Sequence, residues 1–362
     1  MKVGILTLYD NRNIGNRLQN YALQQVLLRY ADEVVTIRNK PALSSLADRL
    51  RRGSPLAESV WLNTLLGEKR KASLLRFNQT YLHMSKGQYW FNRPCTSLHP
   101  EDVCDLYCVG SDQAWNPNLG RTSSFSYLGF APQNRTFSYA ASFGVEKIPK
   151  EHAAAIREGL RHIRYLSVRE SAGKKIAEML TGRQDAEVLP DPTLLLTPEE
   201  WEKIARKPKR PLPQQYLLTY FLGDLSSEQR ERVAQMAADN HWDVVALMGQ
   251  GSPWHDIGPE EFLYLIRHAQ FVCTDSFHGS VFSFLYQRPV MIFDRKGDGS
   301  TMGSRLDTFT EIYSLTNCRV RENNLPRLPL RPDYSAGFAV LQQERAKATA
   351  FLDKVFQAEA GK

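Results

Sequence analysis

Apolar residues along this chain come in short runs, each ending in a polar turn that leads into a stretch of helical periodicity. Lys2–Thr7, Glu33–Arg38, Asp105–Val109, Thr136–Ala140, Tyr165–Val168 and Ala186–Leu189 read as strands. Asn16–Arg29, Glu151–His162 and Ser171–Leu180 read as helices between them. The alternation resumes with strands at Tyr216–Phe221, Asp243–Met248, Phe271–Thr274 and Val290–Phe293. Helices are expected at Ser227–Asn240, Pro259–His268 and Gly279–Tyr286, and a last one within Gly337–Phe356. Strands alternating with helices of this length predict βαβ units, hence parallel sheets covered on both faces.

Proline divides the two series. Leu189-Pro-Asp-Pro-Thr193 interrupts the first, and Thr197-Pro-Glu-Glu200 carries the N-cap, first-turn proline and third-position glutamate of a capping box. Lys207-Pro-Lys-Arg-Pro-Leu-Pro213 is too proline-rich for a sheet interior. The expected organisation is a doubly wound domain over 1–195, a linker over 196–213, a second doubly wound domain over 214–334 and a terminal helix over 335–362. The two domains are expected to face each other across a cleft, with ligands at the carboxyl ends of the strands.

Charge changes this picture in one place. The 362 residues carry 46 Lys and Arg against 39 Asp and Glu, a formal +7. Residues 42–93 hold nine basic and three acidic side chains, so most of the excess lies there. That segment also contains Trp61, Leu62, Leu65, Leu66, Leu74, Leu75 and Phe77, and is expected to be a basic helical arm inserted in the first domain. It is either a solvated helical hairpin or a docking arm for an anionic membrane surface or acceptor. Concentration in one arm is not the spread or striped charge of a nucleic-acid docking face, so no nucleic-acid partner is expected. No apolar run approaches the ~18 residues of a spanning helix. The first residues lack a secretory leader pattern, and five cysteines without a CxxC pair suit neither a disulfide framework nor a thiolate zinc site. A cytoplasmic protein is expected, with the inner face of the membrane as a place of work if the arm docks there.

There is no GxGxxG, no GxxxxGK[ST], no HExxH and no Asp-x-Asp; Gly297-Asp-Gly299 with Gly303 lacks a preceding strand. No metal is expected. The sharpest feature is Phe271-Val-Cys-Thr-Asp-Ser-Phe-His-Gly-Ser280, where a strand passes into a helix near Gly279. A helix N-terminus there suits a phosphate or carboxylate, and His278 is placed to move protons; the plainer alternative is Asp275 capping the helix with His278 packed on it. In Tyr165-Leu-Ser-Val-Arg-Glu-Ser171, Ser167 and Glu170 have capping-box spacing, which puts Arg169 in a first helical turn as a fork for an anion, or as a partner of Glu170. Cys108-Val-Gly-Ser-Asp-Gln-Ala-Trp-Asn116 offers Asp112, Gln113 and Asn116 for sugar hydroxyls, with Trp115 as a stacking face or a core residue. Asp10-Asn-Arg-Asn-Ile-Gly-Asn-Arg17 is a polar loop in which Gly15 allows close backbone approach.

Taken in order, Gly4-Ile-Leu-Thr-Leu8, Asn13-Ile-Gly-Asn-Arg-Leu-Gln-Asn-Tyr-Ala-Leu-Gln24, Val109-Gly-Ser-Asp-Gln-Ala-Trp-Asn116, Ser138-Tyr-Ala-Ala-Ser-Phe-Gly144, Ser167-Val-Arg-Glu170, Leu189-Pro-Asp-Pro-Thr193 and Thr274-Asp-Ser-Phe-His-Gly-Ser280 resemble the polysaccharide pyruvyl transferase family. The resemblance implies a GT-B-like pair of Rossmann-type domains. It implies transfer of the enolpyruvyl unit of phosphoenolpyruvate to a sugar, with closure to a pyruvate ketal and loss of phosphate. By that analogy His278 and Arg169 are the catalytic or donor-binding pair, with Ser276, Phe277, Gly279 and Ser280 around the donor. Some members carry a basic residue where this chain has Ser276, so a second donor cation is sought elsewhere, and Arg305 is the candidate. Asn13, Gly15, Asn16, Asp112 and Gln113 are assigned to the acceptor, a sugar or glycan that is either soluble or lipid-linked. No cofactor is implied beyond phosphoenolpyruvate as co-substrate. The competing readings are a metal-independent GT-B glycosyltransferase using a nucleotide sugar and a non-catalytic glycan-binding protein of the same fold.

Overall fold

The computed structural model describes residues 1–9, 13–41, 59–93, 95–249, 251–295, 303–320 and 332–360. They form two compact units, Met1–Leu195 with Gln343–Lys362, and Leu196–Gln342. The Gly297-Asp-Gly299 motif, Asp10 to Arg12, residues 42–58 of the basic segment and most of the late proline-rich run lie outside the described residues.

The first unit runs β1 (Lys2–Leu6), α1 (Ile14–Leu27), β2 (Glu33–Lys40), α2 (Val60–Leu65), α3 (Lys69–Tyr81), β3 (Met84–Trp90), β4 (Leu106–Val109), β5 (Thr136–Ser138), α4 (Lys150–His162), β6 (Ser167–Val168), α5 (Ser171–Thr181) and β7 (Glu187–Val188). Its main sheet has the order β3-β2-β1-β4-β5 and is parallel throughout. Single bridges from Phe137 to Tyr165 and from Ala141 to Val168 carry it on to the β6–β7 pair. β1 and β4 are central and almost wholly buried, which is why their residues read as unbroken apolar runs. Strand order reverses between them, so the crevice beyond their carboxyl ends is the switch point where open α/β sheets place ligands.

The basic segment divides in two. Residues 60–81 form the expected pair of helices, turned at Gly67, whose φ of +79° closes α2. α3 buries Leu74, Leu75 and Phe77, and the Phe77 ring meets Tyr21 of α1 at 6.1 Å. Residues 84–90 are instead an edge strand on β2. Lys86 and Gln88 give that strand the polar look that hid it, while Ser85 and Tyr89 supply its buried face.

The second unit contains α6 (Pro198–Glu202), β8 (Tyr216–Tyr220), α7 (Ser227–Asp239), β9 (Asp243–Ala246), α8 (Pro259–His268), β10 (Phe271–Thr274), α9 (Phe277–Leu285), β11 (Val290–Phe293), α10 (Gly303–Ile312) and β12 (Arg319–Val320), and the long α11 (Ser335–Ala360) begins in it. The order β12-β11-β10-β8-β9 is again parallel and reverses between β8 and β10. The capping box expected at Thr197 is formed, and Ser226 with Gln229 makes another. α9 is buried along its whole length, and its Ser280 and Ser283 hydroxyls bond back to the helix backbone, as a helix wrapped by its neighbours requires. Phe282 meets Trp201 edge-on at 5.0 Å, and Phe284 stacks on Phe338 of α11 at 4.9 Å. From residue 343 onward α11 groups with the first unit, where Phe356 stacks on Tyr30 at 4.8 Å. Two doubly wound α/β units are the fold class expected from the alternation.

The first core is built around Trp115, which is fully buried, stacks on Tyr127 at 5.2 Å and donates its indole N–H to Ser126 O. Of the two roles expected for Trp115, the core residue is the one formed, and the sugar-stacking face is not. Gly159 of α4 lies against the same Tyr127 ring, and a Cβ built there would overlap the ring at its Cγ. Gly159→Ala gains up to about 1 kcal/mol of helix propensity but displaces a stacked aromatic pair, a type of overpacking that costs about 1–3 kcal/mol. We expect net destabilisation, read as a lower urea midpoint at unchanged slope; an unchanged or higher midpoint would show that the ring yields freely.

Candidate functional site

At the first switch point a buried polar network joins β1, α1 and the turn after β4. Thr7 Oγ1 donates to Ser111 O at 2.7 Å, and Gln19 Nε2 donates to Thr7 Oγ1 at 3.1 Å. Asn13 caps α1 by accepting from Asn16 N, and Asn16 Nδ2 donates to Asp112 Oδ2 at 3.0 Å. Asp112 has a φ of +67°, a left-handed conformation unusual for a side-chain-bearing residue. Its carbonyl accepts from Ala114 N and Ser142 N, and its carboxylate accepts from Gln113 N, which together hold the turn in that shape. Gln113 bonds Asn116 in turn. Asn13, Gly15, Asn16, Asp112 and Gln113 are thus brought together in one unit.

Arg169 belongs to this cluster, but not in the way expected. It precedes α5 by two residues, and Ser167 and Glu170 do not form a capping box. Ser167 Oγ donates to Ser138 O across the strands at 2.6 Å, while Glu170 Oε1 accepts from Ser142 Oγ, Phe143 N and Gly144 N. Those cross-strand partners outcompete the helix terminus for both side chains. The buried Arg169 guanidinium donates to Asp191 Oδ2 at 2.7 Å and lies 3.7 Å from Asp112 and 4.0 Å from Glu170. Burial works to lower its pKa, but Asp191, Asp112 and Glu170 outweigh that and hold it above the ordinary arginine value. Asp191 also accepts from Ser111 Oγ and from both the N–H and hydroxyl of Thr193. The Pro-Asp-Pro break therefore supplies the carboxylate that anchors Arg169, a pairing that sequence spacing did not reveal.

At the second switch point the carboxyl end of β10 turns into α9. Ser276, not Asp275, is the N-cap: its Oγ accepts from Gly279 N at 3.3 Å. Asp275 turns the other way, and its two carboxylate oxygens accept from Leu222 N and Gly223 N, both at 2.7 Å, stitching the loop after β8 to the end of β10. Gly279 has no room for a side chain, since a Cβ would sit 2.5 Å from Thr274 Oγ1, whose hydroxyl donates to Tyr220 O. That close approach brings the amino end of α9 against the strand end. His278, in the first turn, is buried with its ring edge-on to Phe277 at 5.2 Å. Ser280 closes the turn by donating to Ser276 O.

Arg305 lies on α10, one turn before Phe309, which packs on Phe277 at 5.7 Å; residues four apart share a helix face, so Arg305 is on the side of α10 turned to the start of α9. Arg295, just beyond β11, was not singled out from the sequence. Its Nε lies 3.3 Å from Asp275 Oδ2 and it donates to Asp275 O, so it is fastened to the histidine-bearing turn itself. The usable signal was its place two residues after an apolar strand on the same sheet edge. Arg319 binds both Asp294 and Asp307, the acidic neighbours of Arg295 and Arg305. Among the described residues no three His, Cys, Asp or Glu side chains are grouped to hold a metal ion.

A model of the polysaccharide pyruvyl transferase family matches residues 13–297. The chain belongs to that family. The match takes in the first cluster from Asn13 to Asp191 and the second from Asp275 to Arg295, and leaves Thr7 and Arg305 outside. No curated protein matches the chain. Among solved structures, the UDP-GlcNAc 2-epimerase of Neisseria meningitidis bound to UDP-GlcNAc is 12% identical with a TM-score of 0.44, over 98% of this chain and 100% of its own. The Methanocaldococcus jannaschii UDP-GlcNAc 2-epimerase in complex with UDP-GlcNAc and UDP is also 12% identical, with a TM-score of 0.45 over 95% and 99%. Os79 from O. sativa in complex with UDP is 10% identical, with a TM-score of 0.38 over 97% and 95%. At these scores the likeness bears on neither substrate nor mechanism.

Removing the charge at the centre of a pyruvyl transferase cluster like this one exposes what it balances. Arg169→Ala leaves Asp112, Glu170 and Asp191 buried without their shared cation, so we expect a stability loss of about 3–5 kcal/mol. Asp191→Asn keeps a hydrogen-bonding oxygen and leaves Arg169 its two other carboxylates, so its loss is expected to be smaller. Urea unfolding of the two variants checks the order; a wild-type midpoint for Arg169→Ala would mean that the guanidinium does not hold the cluster together.

Proposed function

We propose that this protein transfers the enolpyruvyl unit of phosphoenolpyruvate to a sugar and closes it as a pyruvate ketal, releasing phosphate. The observation that carries the reading is His278 in the first turn of α9, at the switch point of a family-matched sheet, with Arg295 fastened to the same turn. Phosphoenolpyruvate brings a phosphate and a carboxylate. The positive end of α9 and the cations Arg295 and Arg305 are the complementary groups.

The chemistry asks for proton movement more than for a nucleophile on the protein. Protonation of the methylene carbon places positive character at C2, and a sugar hydroxyl forms the first C2–O bond as it loses its proton. A second hydroxyl of the same sugar forms the second bond as the C2–O bond to phosphate breaks. Phosphate leaves with the electron pair of that bond and the proton count closes. An imidazole that exchanges protons near neutral pH suits these steps, and His278 is assigned to them. Ser276, Phe277, Gly279 and Ser280 shape the turn that receives the donor.

The acceptor is assigned to the first cluster, where Asn13, Asn16, Asp112 and Gln113 present amide and carboxylate groups suited to sugar hydroxyls. Arg169 is assigned a positioning role there: its guanidinium already faces three carboxylates, and a dianionic donor would meet them as well. The same chemistry serves a soluble or a lipid-linked sugar.

Thermal shift separates this reading from use of a nucleotide sugar. A ligand at a hundred times its Kd stabilises by about 2.7 kcal/mol, so phosphoenolpyruvate is expected to raise the Tm while UDP, GDP and CMP do not. Arg295→Ala and Arg305→Ala are expected to weaken that shift. Stabilisation by a nucleotide, with none from phosphoenolpyruvate, would overturn the pyruvyl reading. Once an acceptor from a sugar panel supports phosphate release, His278→Ala is expected to lower kcat by roughly 10²–10⁴-fold while keeping the phosphoenolpyruvate shift. A wild-type kcat would remove His278 from the chemistry.

A further inference from the structure

The tip formed by α2 and the start of α3 is built differently from the rest of the surface. Ser59 Oγ accepts from Leu62 N, Asn63 Nδ2 donates to Ser59 O at 2.7 Å, and Asn63 O accepts from Glu68 N at 2.8 Å, so polar contacts hold this short helix in shape. Three of its large apolar side chains stand clear of the packing, while Val60 and Leu62 are half-buried. Trp61 is 72% exposed and Leu65 and Leu66 are each 68% exposed. Trp61 and Leu65 are four residues apart on one helix face, with Leu66 beside them.

Cations follow immediately. α3, which packs against α2, opens with Lys69-Arg70-Lys71; its N-cap Glu68 makes no side-chain cap and lies 3.6 Å from Lys71, so three cations there meet a single acid. Positive side chains at a helix N-terminus oppose the helix dipole, a placement that an external anion would reverse. Lys69 and Arg76 are exposed and, seven residues apart, stand on the same face of α3. An apolar group of one Trp and two Leu next to such a face has the two signals needed for reversible attachment to an anionic bilayer, the indole at headgroup depth and the leucines below it.

We propose that this tip docks the protein on an anionic lipid bilayer. A second copy of the chain is a poorer occupant, because a self-complementary contact would set basic face on basic face. A nucleic acid would answer the cations but give Leu65 and Leu66 nothing to bury against. The proposal does not depend on the pyruvyl reading, since no residue of either switch-point cluster takes part.

The test is flotation of the full chain with vesicles of equal parts phosphatidylglycerol and phosphatidylcholine, compared with phosphatidylcholine alone. Binding to the anionic vesicles is expected, falling as salt is added. W61S/L65S/L66S should weaken the partition by at least about tenfold at unchanged Tm. K69Q/R76Q should weaken it by about 25-fold, near fivefold for each charge. W61F should still float but lose most of the quenching of tryptophan fluorescence by brominated lipid. The proposal is overturned if the chain does not float, or if the triple variant floats like the wild type. It is overturned equally if W61F is quenched as before, or if the triple substitution instead dissolves a dimer or abolishes retention on a nucleic acid.

Discussion

The buried guanidinium of Arg169 is the charge on which the first half of the molecule depends. It sits where the ends of β4, β6 and β7 converge, and each of those ends contributes a carboxylate: Asp112, Glu170 and Asp191. None of the three could be held in a dry interior without a counter-charge, and an unpaired buried ion is among the costliest faults a fold can carry. Once Arg169 is in place the carboxylates become struts. Asp191 draws in Ser111 and Thr193, Glu170 holds the amides of Phe143 and Gly144, and Asp112 holds Asn16. The left-handed backbone at Asp112 persists because these bonds fix both sides of it.

The second unit solves the same problem with the roles exchanged. There the carboxylate is central: Asp275 spans the switch point by accepting two amides from the loop after β8, and Arg295 is its ion-pair partner. Arg319 takes up Asp294 and Asp307, so the acids next to Arg295 and Arg305 are answered by a cation of their own. On the proposed reading this difference sorts the substrates, with hydroxyl-rich sugar at a turn crowded with carboxylates and the anionic donor at a turn where cations and a helix N-terminus converge.

How legible each part was in the sequence follows from how local its physics is. β1, β4, β10 and β11 are apolar runs of four or five residues bounded by turns and buried on both faces, and that length decides for strand over buried helix. The Thr197 capping box closes within four residues and formed as spaced. The Ser167–Glu170 spacing is equally good, yet Ser138 and Ser142, some thirty residues away in the chain, claimed both side chains. Edge strand β3 was missed because only Ser85 and Tyr89 of it face inward. The site turns were legible as strand ends, while Asp191 and Arg295 acquire meaning only through pairings with Arg169 and Asp275 that the topology creates.

The turn of His278 illustrates why such a site must be assembled from both levels. His278 stands in the first turn of a buried helix, whose free amide N–H groups and dipole suit an anion. Gly279 lets the helix end press against Thr274, and Asp275 bonds the neighbouring loop, so that carboxylate is spent on structure. On the proposed reading, a phosphate bound at the amino end of α9 would stand beside the imidazole assigned to the proton transfers, tying donor arrival to the chemistry.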